Sequence, residues 1–454
     1  MHIIIVGGGG VGYQLAHHLS AHHQDVVVIE KDEIKARRFK ESLDVMTLEA
    51  NGASAAALEL AGIKNANMLI AVTDLDEVNI IACILATQYK VPTIVCRIRN
   101  PEHMDDNFGI SPKKLGISSV INPEQVAAME ISKMLHFPDA SEIEYFAQGR
   151  VMMLGITVDE EAGITGVPLH KLPLNTESII VGISKPNGNF VIPGGDDIIE
   201  PGSKIYLLGK SKSLKDISML LHHEATRINQ ITILGGGMVG RQLALLLEKS
   251  RQPFTVKLIE QDFKRCEMLS KELSHTLVLQ GDVTENAMLS QEDIGDSDAV
   301  VAVAGDDRNN IVSALLSQNY GVKKIICEVK KPQYVAVYNA LGIHNLINPR
   351  MLAAAHILRL TRQEEVVALS MVQGEKAEVL EVVLPEKSKV TNKKIKDAHF
   401  PRGMMIGSIV RDEEVLIPDG ETMLLADDHL VIFSLPNTAH KLEHYFTGNN
   451  HHLK

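Results

Sequence analysis

Over the first 120 residues, short apolar β-rich runs alternate with stretches of helical period, and the pattern predicts an ordered series of elements. Strands are expected at 2–6, 26–30, 45–48, 68–72, 93–97 and near 119–121, with helices at 11–22, 33–41, 54–60 and 76–89 between them. Strand-helix alternation of this kind implies a parallel sheet with helices on both faces and right-handed crossovers. The fold class expected is α/β, Rossmann-like and doubly wound.

The periodicity then changes twice. From Glu124 to Leu135 the apolar residues Val126, Ala127, Met129, Ile131, Met134 and Leu135 keep a helical period beyond the end of the sheet. A helix hung on a complete domain is expected to pack on a second subunit. From about 141 to 226 the texture becomes short alternating strands and Gly/Pro turns, including 179–184 and 204–208.

The whole arrangement is then repeated. His2 to Gly12 (HIIIVGGGGVG) returns as Gln230 to Gly240 (QITILGGGMVG), Val26–Glu30 as Val256–Glu260, Ala71–Asn79 as Ala302–Asn310 and Ile121-Asn122-Pro123 as Ile347-Asn348-Pro349. The segment 351–360 repeats the extra helix, and Val191–Asp196 returns as Leu416–Glu421. The expected layout is two Rossmann-like domains, 1–123 and 228–349, each followed by a crossover helix and linker (124–140 and 350–365) and a small α+β domain (141–226 and 366–450).

Composition narrows the function. A chain of 454 residues with 45% hydrophobic residues suits two to four globular modules. No apolar run reaches the roughly 18 to 20 residues that cross a bilayer, and a strand starting at His2 leaves no room for a signal peptide, so a cytoplasmic location is expected. A net charge of −12 without a basic and aromatic stripe argues against nucleic acid. The cluster at Lys393, Lys394 and Lys396 reads as a solvated turn. The four cysteines sit singly, with Cys96 and Cys327 at matching strand positions, and are expected as buried thiols. The histidine pairs 17–18, 22–23, 222–223 and 451–452 lack companions at ligand spacing, so no metal is assigned.

The candidate chemistry lies in the two glycine loops. In Gly7, Gly8, Gly9, Gly10, Val11, Gly12 and again in Gly235, Gly236, Gly237, Met238, Val239, Gly240, the first glycine allows the tight turn, the second lets backbone approach phosphate and the third permits close helix-strand packing. Phosphates then rest on free amides at a helix N-terminus. Glu30 and Glu260, about 20 residues on, stand where a carboxylate accepts ribose hydroxyls and repels a 2'-phosphate, so NAD(H) or AMP, ADP or ATP is expected and NADP disfavoured. Thr73 and Asp74 close the fourth strand beside this crevice. Arg97 and Arg99 sit at alternate positions of the fifth strand's carboxyl end, both able to face phosphates. Their counterparts are Glu328 and Lys330, and Asp74 is replaced by Gly305, so the first site is expected to take the more highly charged ligand. Asp282 is read either as a contact to the adenosine end of a nucleotide or as the cap of the next helix.

No catalytic residue is assigned, because neither small block carries a His/Asp, Ser/Lys or Tyr/Lys arrangement or a nucleophile elbow. An NAD-dependent oxidoreductase and a scaffold with vestigial sites are the readings from other classes. Taken together, the glycine loops, Glu30, Asn51-Gly52-Ala53-Ser54, Ala71-Val72-Thr73-Asp74, Arg97-Ile98-Arg99 and Ile121-Asn122-Pro123-Glu124, with their second-half partners, make the chain resemble the tandem RCK (regulator of potassium conductance) family of Trk-type potassium uptake systems. The resemblance spans essentially the whole chain. It implies a peripheral cytoplasmic subunit that binds NAD(H) and adenine nucleotides, assembles into a dimer or tetramer ring and gates a membrane potassium-translocating subunit. A regulator of another monovalent-cation transporter falls within the same class. It further implies that the residues at Gly7–Val11, Glu30, Thr73, Asp74 and Arg97 line one nucleotide site and those at Gly235–Val239 and Glu260 the other, with the helix from Glu124 crossing between subunits.

Overall fold

The computed structural model describes residues 1–21, 24–100, 103, 111–159, 162–172, 177–210, 213–214, 217, 227–360, 366–372, 377–435, 438 and 445–446, with backbone alone at 359 and 366–372. The chain divides into two compact units, Met1–Leu135 with Ile228–Thr361, and His136–Arg227 with Arg362–Lys454.

The first unit holds two parallel sheets. One is built from β1 (His2–Val6), β2 (Asp25–Glu30), β3 (Met46–Glu49), β4 (Met68–Ala71), β5 (Thr93–Arg97) and β6 (Ser119–Ile121), in the order β3-β2-β1-β4-β5-β6. Helices α1 (Gly10–Ala21), α2 (Glu33–Ser42), α3 (Ala55–Leu60) and α4 (Asp76–Gln88) connect the strands, and α5 (Pro123–His136) follows the last one. All pairings are parallel, from Val6 opposite Ile29 to Arg97 opposite Ile121. The order reverses between β1 and β4, the point beyond whose carboxyl ends the ligand crevice lies in sheets of this type.

In the other unit, β7 (Ala140–Phe146), β8 (Val151–Thr157), β9 (Ser178–Ser184), β10 (Phe190–Val191) and β11 (Lys204–Gly209) form an antiparallel sheet in the order β10-β9-β11-β8-β7. Strand β11 alternates sides as a two-faced strand must: Ile205 and Leu207 enter one core, Tyr206 and Leu208 another.

The second Rossmann-type domain repeats the first with β12 (Gln230–Leu234), β13 (Thr255–Glu260), β14 (Leu277–Gln280), β15 (Ala299–Ala302), β16 (Lys324–Glu328) and β17 (Asn345–Ile347), again in the order third-second-first-fourth-fifth-sixth. Its helices are α6 (Met238–Glu248), α7 (Phe263–Glu272), α8 (Asn286–Gln291), α9 (Asp307–Asn319), α10 (Val335–Ala340) and α11 (Pro349–Leu360). The last five strands, β18 (Val366–Val372), β19 (Ala377–Val383), β20 (Met404–Arg411), β21 (Glu414–Leu416) and β22 (His429–Ser434), form a second antiparallel sheet ordered β18-β19-β22-β20-β21.

Within the first unit the two Rossmann domains exchange their final helices. Ala127, Ala128, Ile131 and Leu135 of α5 share a core with Val239, Leu243 and Leu247 of α6. Reciprocally, Ala353, Ala354 and Ile357 of α11 share a core with Val11, Leu15 and Leu19 of α1. The apolar face of α5, expected to meet a second subunit, is covered by the other half of its own chain. Full burial of each Leu or Ile here is worth about 1.5–3 kcal/mol, so neither helix has reason to leave.

Within the second unit the two antiparallel sheets also share a core. Met153, Val181, Tyr206 and Leu208 pack with Ala377, Val379, Val431 and Phe433, and the rings of Phe190 and Phe433 stack at 5.9 Å between centroids. Two of the three lysines of the 393–396 turn share one carboxylate, Lys394 at 3.0 Å and Lys396 at 2.5 Å from Glu421. All four cysteines are buried free thiols. His17 and His18 are exposed on α1, whereas the pairs 22–23, 222–223 and 451–452 lie outside the described residues. Among the described residues no helix is long and apolar enough to cross a membrane.

Candidate functional site

The crevice above β1 begins with a turn that a side chain would block. Gly7 has φ +111° and its equivalent Gly235 has φ +114°, a region that favours glycine. A Cβ on Gly12 would overlap the Gly7 carbonyl oxygen, and one on Gly240 would overlap that of Gly235. The third glycine of each loop therefore lets the helix start against the turn. Gly9 and Gly237 differ from both: a Cβ at Gly9 meets nothing within 4 Å, and at Gly237 only a carbonyl oxygen at 4.0 Å. These middle glycines border open space at the N-termini of α1 and α6.

A buried carboxylate clamps each loop. Glu30 Oε2 accepts from the Gly8 amide at 2.5 Å and Oε1 from the Asp32 amide at 2.8 Å. Glu260 repeats this with Gly236 at 2.8 Å and Asp262 at 2.9 Å. Each carboxylate thus links the loop after the first strand to the helix after the second, and each oxygen keeps lone pairs for a further donor such as a ribose hydroxyl. Arg265 stands 3.3 Å from Glu260, which gives the second copy an additional cation at this place.

The far wall comes from the ends of β4 and β5. Asn79, fully buried, accepts from the Thr73 amide at 2.8 Å and donates to the carbonyls of Thr73 at 3.1 Å and Arg97 at 3.0 Å. Asn310 likewise accepts from the Ala304 amide at 2.7 Å and donates to the Glu328 carbonyl at 3.0 Å. Asp76 receives the amides of Arg99 and Asn100, and Asp307 those of Lys330 and Lys331. These four residues fix the loops; in the sequence Asp76, Asn79 and Asn310 contribute to the family likeness, but no structural role is read from them. The signal available was their identity at the same offset in both copies.

Arg97 and Arg99 do converge, as their alternate spacing required. They meet on two carboxylates rather than lying free: Asp74 Oδ1 is 3.3 Å from Arg97 and 3.1 Å from Arg99, and Glu124 Oε1 is 3.6 Å from each. Arg97 is buried, and burial and then the Arg99 cation pull its guanidinium below its ordinary value, against the opposing pull of Glu124 and Asp74. Among the described residues the Nε of each arginine and Oε2 of Glu124 have no hydrogen-bond partner, so the cluster has unfilled polar capacity.

The second copy is built otherwise at this wall. Glu328 is buried, and desolvation pushes its carboxyl above the usual range, partly countered by Lys330. Lys330 Nζ donates to the carbonyl of Gly305, the residue equivalent to Asp74, at 2.6 Å. Asp282 turns inward to its own loop: Oδ1 accepts from the Thr284 amide at 2.8 Å and hydroxyl at 2.6 Å, while Oδ2 accepts from Gln261 at 3.1 Å. It caps this turn and not α8, whose N-cap residue is Glu285.

What the fold and the paired loops define is a class, tandem Rossmann-type proteins of RCK architecture. The chain superposes on the GsuK RCK domain with a TM-score of 0.62 at 19% identity, covering 99% of this chain and 95% of that one. It superposes on the GsuK channel bound to NAD with a TM-score of 0.63 at 18% identity, over 99% and 79%. The chain belongs to the TrkA family: its TrkA-N domains match residues 3–123 and 231–349, and its TrkA-C domains match 153–222 and 379–447. A Trk system potassium uptake protein TrkA homolog from Methanosarcina mazei is 34% identical over 98% of this chain and 100% of its own. The Trk system potassium uptake protein TrkA of Halomonas elongata is 31% identical over 95% of both.

Proposed function

We propose that this chain is the nucleotide-sensing regulatory subunit of a potassium uptake system, binding NAD(H) and adenine nucleotides at its two glycine loops and gating a membrane potassium-translocating subunit of the Trk type. The observation that carries the reading is the doubled clamp, Glu30 on Gly8 and Glu260 on Gly236, beneath open space at Gly9 and Gly237. A pyrophosphate on the free amides of α1 or α6 with its ribose on the glutamate uses every part of this arrangement. The relatives carry the name of a potassium uptake protein, and structures of GsuK hold NAD in one case and ADP in another.

In this reading Gly7–Gly12, Glu30, Thr73, Asp74, Arg97 and Arg99 form the first site, and Gly235–Gly240 and Glu260 the second, with Asp282 shaping the adjoining turn. Copies assemble as a dimer or tetramer ring at the cytoplasmic face, attached through the protein partner. A ligand that favours one arrangement of adjoining domains shifts the population of ring shapes, and a coupling of about 1–3 kcal/mol changes it several-fold to a hundred-fold.

Isothermal titration of the purified chain with NAD+, NADH, ADP and ATP tests the proposal, with stoichiometry per chain as the readout. Saturable binding approaching two ligands per chain is expected, followed by nucleotide-dependent flux when the chain is reconstituted with a Trk-type potassium transporter. Absence of binding to either half would leave the glycine loops as packing elements and remove the proposal.

A further inference from the structure

One cation near the first crevice comes from the second Rossmann domain. Arg350, in the first turn of α11, lies so close to the loop that a Cβ on Gly10 would overlap its Cδ and stand 3.0 Å from both Nε and Nη1. Gly10 is the first residue of α1, whose first turn carries no acidic side chain. Arg350 is itself exposed and, among the described residues, makes no ion pair.

Electrostatically this is an unfavourable place for a guanidinium. The N-terminus of a helix carries about half a positive charge, and a cation there is destabilising. Arg350 stands at the start of its own helix and against the start of α1, within electrostatic range of Arg97. Glu124, its counterpart in the first half, has the favourable sign for a helix start and is engaged with Arg97 and Arg99. Arg350 therefore joins Arg97 and Arg99, both held on Asp74 and Glu124, beside one helix N-terminus, and the buried Nε atoms of those two arginines lack acceptors.

We propose that Arg350 is a phosphate ligand of the first nucleotide site, donated by the opposite Rossmann domain, and that it selects ligands by the number of their phosphates. An anion lying between the α1 amides and the Arg350 guanidinium turns the repulsion into charge-assisted hydrogen bonds, the strong kind for arginine and phosphate. The second site has a mixed lining at the equivalent wall, with buried Glu328 beside Lys330 and within electrostatic range of Glu124, so it favours added phosphate less. This inference rests on the nucleotide-binding reading above.

The test uses the full chain carrying Gly237→Asp, which sets a carboxylate against phosphate at the second loop, and titrates it with AMP, ADP and ATP before and after Arg350→Gln. Without the arginine substitution, affinity should rise with phosphate number. Arg350→Gln should weaken ATP by about tenfold or more, the loss of a charge-assisted bond, while AMP changes little and Arg350→Lys recovers part of the ATP affinity. An unchanged preference for ATP over AMP, or equal weakening of both, overturns the role of Arg350. Failure of the wild-type chain to bind any of the three would instead remove the nucleotide-binding reading itself. The unliganded melting temperature, which an exposed unpaired side chain does not set, reports that the variants are folded.

Discussion

Glu30 and Gly8 are joined by a 2.5 Å hydrogen bond from the glycine amide to the carboxylate, 22 residues away in the chain and buried. Because Glu30 also receives the Asp32 amide, Glu30→Ala strands two donors and should cost about 1–3 kcal/mol in folding stability for each one left buried. The same substitution should abolish binding at the first site and leave the second intact. Titration with NADH should then show the stoichiometry falling by about one ligand per chain, and an unchanged value would contradict the assignment.

Neighbouring glycines should respond differently to one methyl group. Gly12→Ala forces a Cβ into the Gly7 carbonyl and should destabilise the chain by about 1–3 kcal/mol through overpacking. Gly9→Ala meets open space and should leave unliganded stability within about 0.5 kcal/mol while weakening nucleotide binding. Chemical denaturation of both variants, paired with ligand titration, separates the packing glycine from the phosphate-facing one.

Glu328 makes a pH-dependent prediction. Burial holds its carboxyl above the ordinary value of 4.5, against Lys330 and Arg350 and with Asp307 and Glu124. The folded state keeps the proton longer than the unfolded chain, so the stability that comes from the neutral form is present below the ordinary glutamate range and lost as pH rises through the folded value. Glu328→Gln should therefore stabilise the chain at neutral pH, with the gain shrinking toward pH about 4. Urea titrations at the two pH values check this, and a gain independent of pH would assign it to something other than the proton.

Phe433 tests the second unit. Its ring stacks on Phe190 and lies 6.0 Å from that of Tyr206, at the core shared by the two antiparallel sheets. Phe433→Ala should cost about 3–5 kcal/mol, read as a lowered denaturation midpoint. A loss below about 1 kcal/mol would mean that the two sheets do not depend on this contact.

The glycine loops, Glu30 and Glu260 were legible in the sequence because their geometry is local: a strand, a turn and a carboxylate at fixed spacing on the next strand. The strand at 93–97 was likewise readable from its apolar run. What the sequence left open was everything that depends on which surfaces meet. Helical period gave α5 an apolar face but not its partner, and Leu243 of the same chain fills that place where a second subunit was expected. Arg97 and Arg99 read as aimed at ligand, yet Asp74 and Glu124 share them, the latter brought in by a helix start 25 residues on. Asp282 had two readings, a nucleotide contact or the cap of the next helix, and its short-range bonds to Thr284 close its own turn while Glu285 takes the cap position.

The exchange of α5 and α11 within one chain has an evolutionary meaning. Two identical copies meeting about a twofold axis would be compelled to present the same side chains to each other, so any change at one site would appear at both. Covalent fusion lifts that constraint. Arg97 and Glu124 could then be answered by Glu328 and Arg350, a reversal of sign at both positions. A duplicated gene encoding one polypeptide is thus free to evolve unequal sensors on a shared symmetric frame.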